Sequence, residues 1–111
     1  MLVLGLAYKR DVDDVRESPS IILIEQMKLR GARVDYNDPY IPKTQRQREH
    51  DLKMKSVALT TENLRKYDVV LISTDHTAYD YDMIVRHARA IVDTRNATRD
   101  VQKNRDKIWK A

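Results

Sequence analysis

Three cationic side chains stand where predicted strands end, and their chemistry suits a diphosphate. Lys9 follows the first apolar run, Arg16 lies seven residues further on, and Arg95 follows the last run. Arginine forms paired hydrogen bonds with phosphate oxygens and lysine adds a compact charge, so the three together indicate a diphosphate site. A second interpretation stays open, in which the cations only neutralise neighbouring carboxylates, namely Asp11, Asp13, Asp14 and Asp93.

Other kinds of site find little support in the residue types. The 111 residues include no cysteine, which excludes disulfides, thiolate zinc sites and a cysteine nucleophile within this chain. The histidines lack metal-ligand spacing, so no metal site is predicted; they are His50, His76 and His87. Ser18 has no recognisable histidine base, and its place before Pro19 is explained by helix capping.

The basic excess lies in two segments. The net charge is +4, and residues 43–55 and 99–111 are both strongly basic. Neither segment interleaves aromatic residues with its charges as single-strand binders do, so no nucleic-acid partner is expected. No apolar run approaches the ~18–20 residues needed to cross a bilayer, and no signal peptide is recognisable. We therefore expect no membrane partner and a cytoplasmic location.

The elements that would position these cations alternate between strand and helix. Strand-like apolar runs lie at residues 2–6, 33–36, 69–73 and 90–92, with a weaker fifth near 57–59. Helix signals lie between them. The first helix is predicted to start at Ser18 and to stop at Gly31, a second to follow Thr60 or Thr61, and a third to follow Asp80. Residues 43–55 could form a further exposed helix, and the residues after Thr98 are a candidate for partial disorder.

Alternating strands and helices predict the α/β class. The expected architecture is a Rossmann-like doubly wound sandwich with a mostly parallel five-stranded sheet. Ligands in such folds bind at the carboxyl ends of the strands. However, only Gly5 is present where the fingerprint G-x-G-x-x-G requires three glycines, so the turn that cradles the pyrophosphate of NAD is not predicted.

Four motifs occur in one order and spacing: GLAYK at 5–9, DDVRESP at 13–19, YNDP at 36–39 and VDTRN at 92–96. In this arrangement residues 2–98 resemble the C-terminal, UDP-binding domain of the UDP-glucose/GDP-mannose dehydrogenase family. The sequence around the second motif is most similar to that of the UDP-N-acetylglucosamine and UDP-N-acetylmannosamine 6-dehydrogenases.

The resemblance implies a parent enzyme that oxidises the C6 alcohol of a UDP-sugar to a carboxylate with two NAD per turnover. In such enzymes an N-terminal domain binds NAD, a central helical region forms a homodimer, and a cysteine carries a thioester intermediate. By the same resemblance Tyr8, Lys9 and Arg95 would contact the UDP-sugar, and Arg16 would reach NAD across the domain cleft.

This chain departs from that parent in lacking the glycine fingerprint, the cysteine and the central helical region. We therefore expect a fragment, with a UDP-sugar-binding domain at residues 1–98 and a basic tail at 99–111. Its partners would be the UDP-sugar and the missing N-terminal and central domains, and alone it would be inactive. A stand-alone nucleotide-binding regulatory module is the alternative, and a basic nucleic-acid-binding module a more remote one.

Overall fold

Short apolar segments form the centre of a five-stranded sheet. The computed structural model describes residues 1–16, 18–46 and 51–111. Its strands are β1 (Leu2–Leu4), β2 (Asp35–Asn37), β3 (Val70–Ile72), β4 (Ile91–Asp93) and β5 (Ile108–Lys110). Every residue of β1 and β3 is buried, as expected for strands that are covered by helices on both faces.

All strand pairs are parallel, and the order across the sheet is β2-β1-β3-β4-β5. In this register Leu4 lies beside Ile72, and Ile72 lies beside Asp93. The carboxyl ends of the central strands therefore share one edge of the sheet, and the loops that follow them meet there.

Three helices begin where the sequence predicts. In α1 (Pro19–Leu29) the Ser18 side chain accepts from the N–H of Ser20, and proline stands at the start of the helix. Thr60 caps α2 (Thr61–Lys66) and Asp80 caps α3 (Tyr81–His87), each by accepting the backbone N–H of the third residue of its helix. None of the helices in the described part of the chain is long and apolar enough to cross a membrane.

The helices cover the sheet from both sides. On one face Ile21 and Ile24 of α1 belong to the same apolar cluster as Val3 and Leu71. On the other face side chains of α2 and α3 pack with Leu2 and with its neighbours in the sheet, in a cluster that includes Leu64, Ile84, Val85, Leu4 and Val70. This confirms the predicted α/β fold, doubly wound and with a five-stranded sheet that is parallel throughout.

The position of the fifth strand corrects the sequence analysis. The weak strand expected near residues 57–59 is not formed, and β5 lies instead in the C-terminal segment that was a candidate for disorder. Two basic side chains anchor that segment by donating to backbone carbonyls: Arg105 to Thr98 and Val101, and Lys107 to Arg86 and Ala88. These cations therefore help to complete the sheet.

The exposed helix considered for residues 43–55 is also absent from the part of that segment that is described. Lys43 and Lys55 form an antiparallel bridge, and the Thr44 N–H donates to the Met54 carbonyl at 2.9 Å. Residues 47–50, and with them His50, lie outside the described residues, as does Glu17.

Candidate functional site

The strand order 2-1-3-4-5 puts the switch point of the sheet between β1 and β3, where a ligand crevice is expected. The loop after β1 and the loop after β3 meet here without a gap, at Gly5 and Thr74. Gly5 has φ +91°, and a Cβ at this position would lie 2.3 Å from the Thr74 Cβ. The Thr74 hydroxyl also donates to the Ala7 carbonyl at 2.8 Å. Backbone and side chain therefore fill the base of the crevice.

Further contacts join the same two loops nearer the surface. Arg10 donates to the Asp75 carboxylate, with Nη2 at 2.5 Å, and the Asp11 carboxylate accepts from both the N–H and the hydroxyl of Thr77. Because the Thr77 donors favour the ionised form, they hold the pKa of Asp11 below its ordinary value. With protein groups closing the crevice, a ligand at this edge would lie over the loops and not between the strands.

A buried aspartate–histidine pair supports the loop after β1. Asp38 Oδ2 accepts the backbone N–H groups of Leu6 at 2.8 Å and Ala7 at 3.0 Å, and it contacts His76 Nε2 at 2.8 Å. His76 Nδ1 accepts the Asp11 N–H at 2.9 Å. A ring nitrogen that accepts a hydrogen bond carries no proton, so the imidazole is neutral and donates from Nε2. The side chains of Asp38 and His76 are both 0% exposed.

The loop after β4 is organised by Asp93. Its carboxylate accepts the backbone N–H groups of Arg95, Ala97 and Thr98 and the Thr98 hydroxyl, at 2.6–3.0 Å. Burial opposes the ionisation of Asp93, but these hydrogen bonds outweigh it and hold the pKa of Asp93 below its ordinary value. An ionised carboxylate thus fixes the backbone on which Arg95 is placed.

The predicted substrate-binding residues lie on these two loops. Tyr8 and Lys9 are exposed at the tip of the loop after β1. The Tyr8 N–H donates to the Asp14 carbonyl at 2.7 Å and so closes this loop. Arg95 Nε donates to the carbonyl of Ser73, the residue that follows β3, at 3.0 Å. The guanidinium therefore lies along the carboxyl edge, where its remaining N–H groups can face a ligand.

Arg16, the residue expected to reach NAD, is placed differently. It forms a two-pronged ion pair with Asp14, from Nε to Oδ1 at 3.1 Å and from Nη2 to Oδ2 at 3.0 Å, and its side chain is 84% exposed. Hydrogen bonds from Arg16 hold the pKa of Asp14 below its ordinary value. In this structure Arg16 therefore neutralises a neighbouring carboxylate, as the second interpretation of the sequence proposes. Asp11 and Asp93 have other partners: Asp11 accepts hydrogen bonds from Thr77, and Asp93 accepts them from residues of its own loop.

A cleft of about 200 Å³ opens beside the loops after β3 and β4. Two arginines and two aspartates are among the residues that line it, and one of each sign, Arg10 and Asp75, already form an ion pair. The cleft therefore offers no excess of positive charge to a diphosphate. Lys9 and Arg95 are not among its lining residues, and they remain the better candidates for phosphate contacts.

The contribution of Asp38 and His76 was missed from sequence. The sequence places His76 after a strand end and gives no metal-ligand spacing for it, but it does not indicate a contact with Asp38. Among the described residues no group of three or more potential ligands is placed to hold a metal ion. Both residues follow strand ends, which was visible in the sequence. Their contact depends on β2 and β3 lying on either side of β1, and that order is a property of the folded sheet.

Comparison with known proteins gives a consistent result. Residues 2–100 match the model of the UDP-glucose/GDP-mannose dehydrogenase family, UDP binding domain. UDP-glucose 6-dehydrogenase AglM of Haloferax volcanii is 33% identical over 96 residues, which cover 84% of this chain and 22% of that protein. UDP-N-acetyl-D-mannosamine dehydrogenase of Pyrococcus horikoshii is 33% identical over 104 residues, or 88% of this chain and 22% of that protein.

Solved structures show the same fold. The UDP-N-acetyl-mannosamine dehydrogenase of Staphylococcus aureus superposes with a TM-score of 0.71 and 23% identity, over 98% of this chain and 25% of that one. The chain thus spans about a quarter of the length of the relatives that it matches.

Proposed function

This chain belongs to the UDP-glucose/GDP-mannose dehydrogenase family as its UDP binding domain, and we propose that it holds the nucleotide of a UDP-sugar for NAD-dependent oxidation at C6. The observation that carries the proposal is the carboxyl edge of the sheet. The loops after β1 and β4 carry Lys9 and Arg95 at this edge, and each loop is fixed by a buried carboxylate that accepts backbone N–H groups. Cations on fixed loops over a strand edge suit a diphosphate.

Within this site the residues divide the work. Lys9 and Arg95 contact the phosphates of the UDP-sugar, with the exposed ring of Tyr8 beside them. Arg16 serves NAD from the lip of the same loop. Its pair with Asp14 is solvent-exposed, and such pairs contribute little to the stability of a fold, so Arg16 can exchange Asp14 for a ligand at low cost. The nucleotide contacts fall within residues 1–98, and residues 99–111 complete the sheet.

The chemical step requires groups that this chain does not contain. Without cysteine the 111 residues cannot form a thioester, and without the three-glycine turn they lack the usual cradle for NAD. The oxidation of the alcohol to a carboxylate is therefore assigned to an assembly of this domain with an NAD-binding domain and a central, dimer-forming region, as in the parent enzyme implied by the sequence. In that assembly NAD is the oxidant, and this chain orients the UDP-sugar.

A titration with separate ligands tests the proposed function. UDP and UDP-N-acetylglucosamine are expected to bind the isolated chain with a dissociation constant of roughly 1 mM, which corresponds to ~4 kcal/mol. The affinity is expected to be this low because the chain supplies only one side of the binding site. NAD is expected to bind more weakly than UDP. Shifts of the amide resonances of residues 6–11 and 94–98 in NMR spectra measure both affinity and location.

Two outcomes of the titration would contradict the proposal. Binding of NAD in preference to UDP would remove the assignment to the nucleotide sugar. Binding of UDP at about 1 μM or tighter would instead favour a stand-alone nucleotide-binding regulatory module, since a single open wall does not provide ~8 kcal/mol.

An activity assay tests whether the chemistry lies outside this chain. The pure chain, incubated with NAD and UDP-glucose, UDP-N-acetylglucosamine or UDP-N-acetylmannosamine, is expected to produce no NADH, because it has neither thiol nor glycine fingerprint. A full-length relative measured in parallel is the positive control. Steady NADH production that persists when the chain is repurified would show that the assignment is wrong.

A further inference from the structure

The loop that carries Tyr8 and Lys9 is held at both of its ends. At its start the N–H groups of Leu6 and Ala7 donate to Asp38 Oδ2. At its far end the N–H of Asp11 donates to a nitrogen of His76. Between the two anchors residues 8–10 are exposed. The backbone that carries Lys9 is therefore held in place on either side of it.

The two anchors form one connected hydrogen-bond chain. His76 Nε2 donates to Asp38 Oδ2 at 2.8 Å, the oxygen that also holds the start of the loop, while Nδ1 of the same ring accepts from its end. The side chains of His76 and Asp38 are both 0% exposed, so water has no access to replace either contact. A buried network of this kind favours one conformation, because breaking any member leaves a buried polar group without a partner.

The ring of His76 is also fixed in orientation. Tyr40 lies edge-on to it with ring centroids 4.9 Å apart, and Tyr79 lies on another side at 5.7 Å. The backbone carbonyl of His76 accepts the hydroxyl of Tyr81 at 2.8 Å, which holds the main chain in place. The imidazole thus has a fixed plane, a fixed proton position and a partner at each nitrogen.

We propose that His76, neutral and protonated on Nε2, is a positioning residue that aims Lys9 at the phosphates of the nucleotide by joining both anchors of its loop. His76 touches no ligand itself and acts through Asp38 and Asp11. This inference rests on the proposed function, since it concerns the affinity of the same site for UDP.

Two substitutions separate the halves of this connection. An asparagine amide reaches the position of Nδ1, so His76→Asn keeps an acceptor for the Asp11 N–H and loses the contact with Asp38. A glutamine amide reaches the position of Nε2, so His76→Gln keeps the contact with Asp38 and leaves the Asp11 N–H without its acceptor. The two variants are similar in polarity and differ in which anchor they preserve.

The experiment compares the full 111-residue chain with both variants. In the unmodified chain, ¹⁵N shifts of the imidazole are expected to show a protonated Nε2 and an unprotonated Nδ1. Hydrogen exchange of the Asp11 amide is expected to accelerate at least about tenfold in His76→Gln and to change less in His76→Asn. UDP, titrated by NMR, is expected to bind about tenfold more weakly to His76→Gln, and His76→Asn is expected to lie between that variant and the unmodified chain.

Ile84→Val is the matched control for a loss of stability alone. It removes a methylene from the core beneath α3 without touching the loop, so its affinity for UDP is expected to stay within about twofold of the unmodified chain. The proposal is overturned if His76→Gln binds UDP as the unmodified chain does although its Asp11 amide exchanges faster. It is also overturned if the imidazole carries its proton on Nδ1.

The failure of the proposed function has a different signature. If the unmodified chain binds no UDP, the role of His76 toward a nucleotide falls together with the site. The tautomer and the exchange rate of Asp11 would still decide whether His76 orders this loop.

Discussion

Gly5→Ala is expected to destabilise the chain by about 3–5 kcal/mol, which is a large part of the ~5–15 kcal/mol typical of a domain of this size. The added Cβ would lie 2.3 Å from the Thr74 Cβ and 2.7 Å from the Thr74 carbonyl oxygen, so the backbone after β3 would have to move. The alanine would also inherit φ +91°, which L-residues rarely adopt. Urea denaturation followed by circular dichroism measures the change.

Gly31→Ala provides the matched control. Gly31 has almost the same backbone angle, φ +89°, but a Cβ there meets nothing within 4 Å. Its substitution should therefore cost only the strain of the left-handed backbone, about 1–2 kcal/mol. The difference in the free energy of unfolding between the two variants measures the steric cost of the close approach between Gly5 and Thr74 at the switch point. Equal losses would show that the loops after β1 and β3 are further apart than the structure has them.

Lys9→Ala and Arg95→Ala are each expected to weaken the binding of UDP by about 10- to 100-fold. A charge-assisted hydrogen bond contributes roughly 1.5–3 kcal/mol, and the whole affinity expected of the isolated chain is only ~4 kcal/mol. The effect should therefore bring the binding close to the limit of detection. Arg95→Lys retains a charge without the planar fork and should bind UDP with intermediate affinity. Titrations by NMR measure these differences.

Two further variants serve as controls for the assignment of Lys9 and Arg95 to UDP. Arg16→Ala should leave the affinity for UDP nearly unchanged, because Arg16 is assigned to NAD and is paired with Asp14 in this structure. Lys28→Ala removes an equal charge from the last turn of α1 and controls for net charge alone. The division of roles is wrong if Arg16→Ala abolishes the binding of UDP while Lys9→Ala preserves it.

Local signals account for the parts of the fold that the sequence predicted. The apolar runs of β1 and β3 are covered on both faces, and each predicted helix start has a side chain that accepts a backbone N–H, at Ser18, Thr60 and Asp80. In these cases the residues that decide the structure are neighbours in the chain. That is why the strand–helix alternation, and with it the fold class, could be predicted.

The features that were missed depend on contacts between distant residues. β5 is a three-residue segment with an exposed Trp109, so it carries no strong strand pattern, and it is held by Lys107 on the carbonyls that end α3. The pairing of Asp38 with His76 likewise spans 38 residues and requires the strand order. The cations could be placed at strand ends from sequence, whereas the network that fixes their loops could not.

The central position of β1 also has a consequence for synthesis on the ribosome. Leu2 pairs with Asp35 on one side and with Val70 on the other, so β1 cannot be enclosed until β3 has left the exit tunnel. At typical translation rates roughly 3–14 s separate the two strands. During that interval β1, which is fully buried in the folded domain, has an open edge and exposed apolar side chains, which makes the nascent chain a natural client for chaperones.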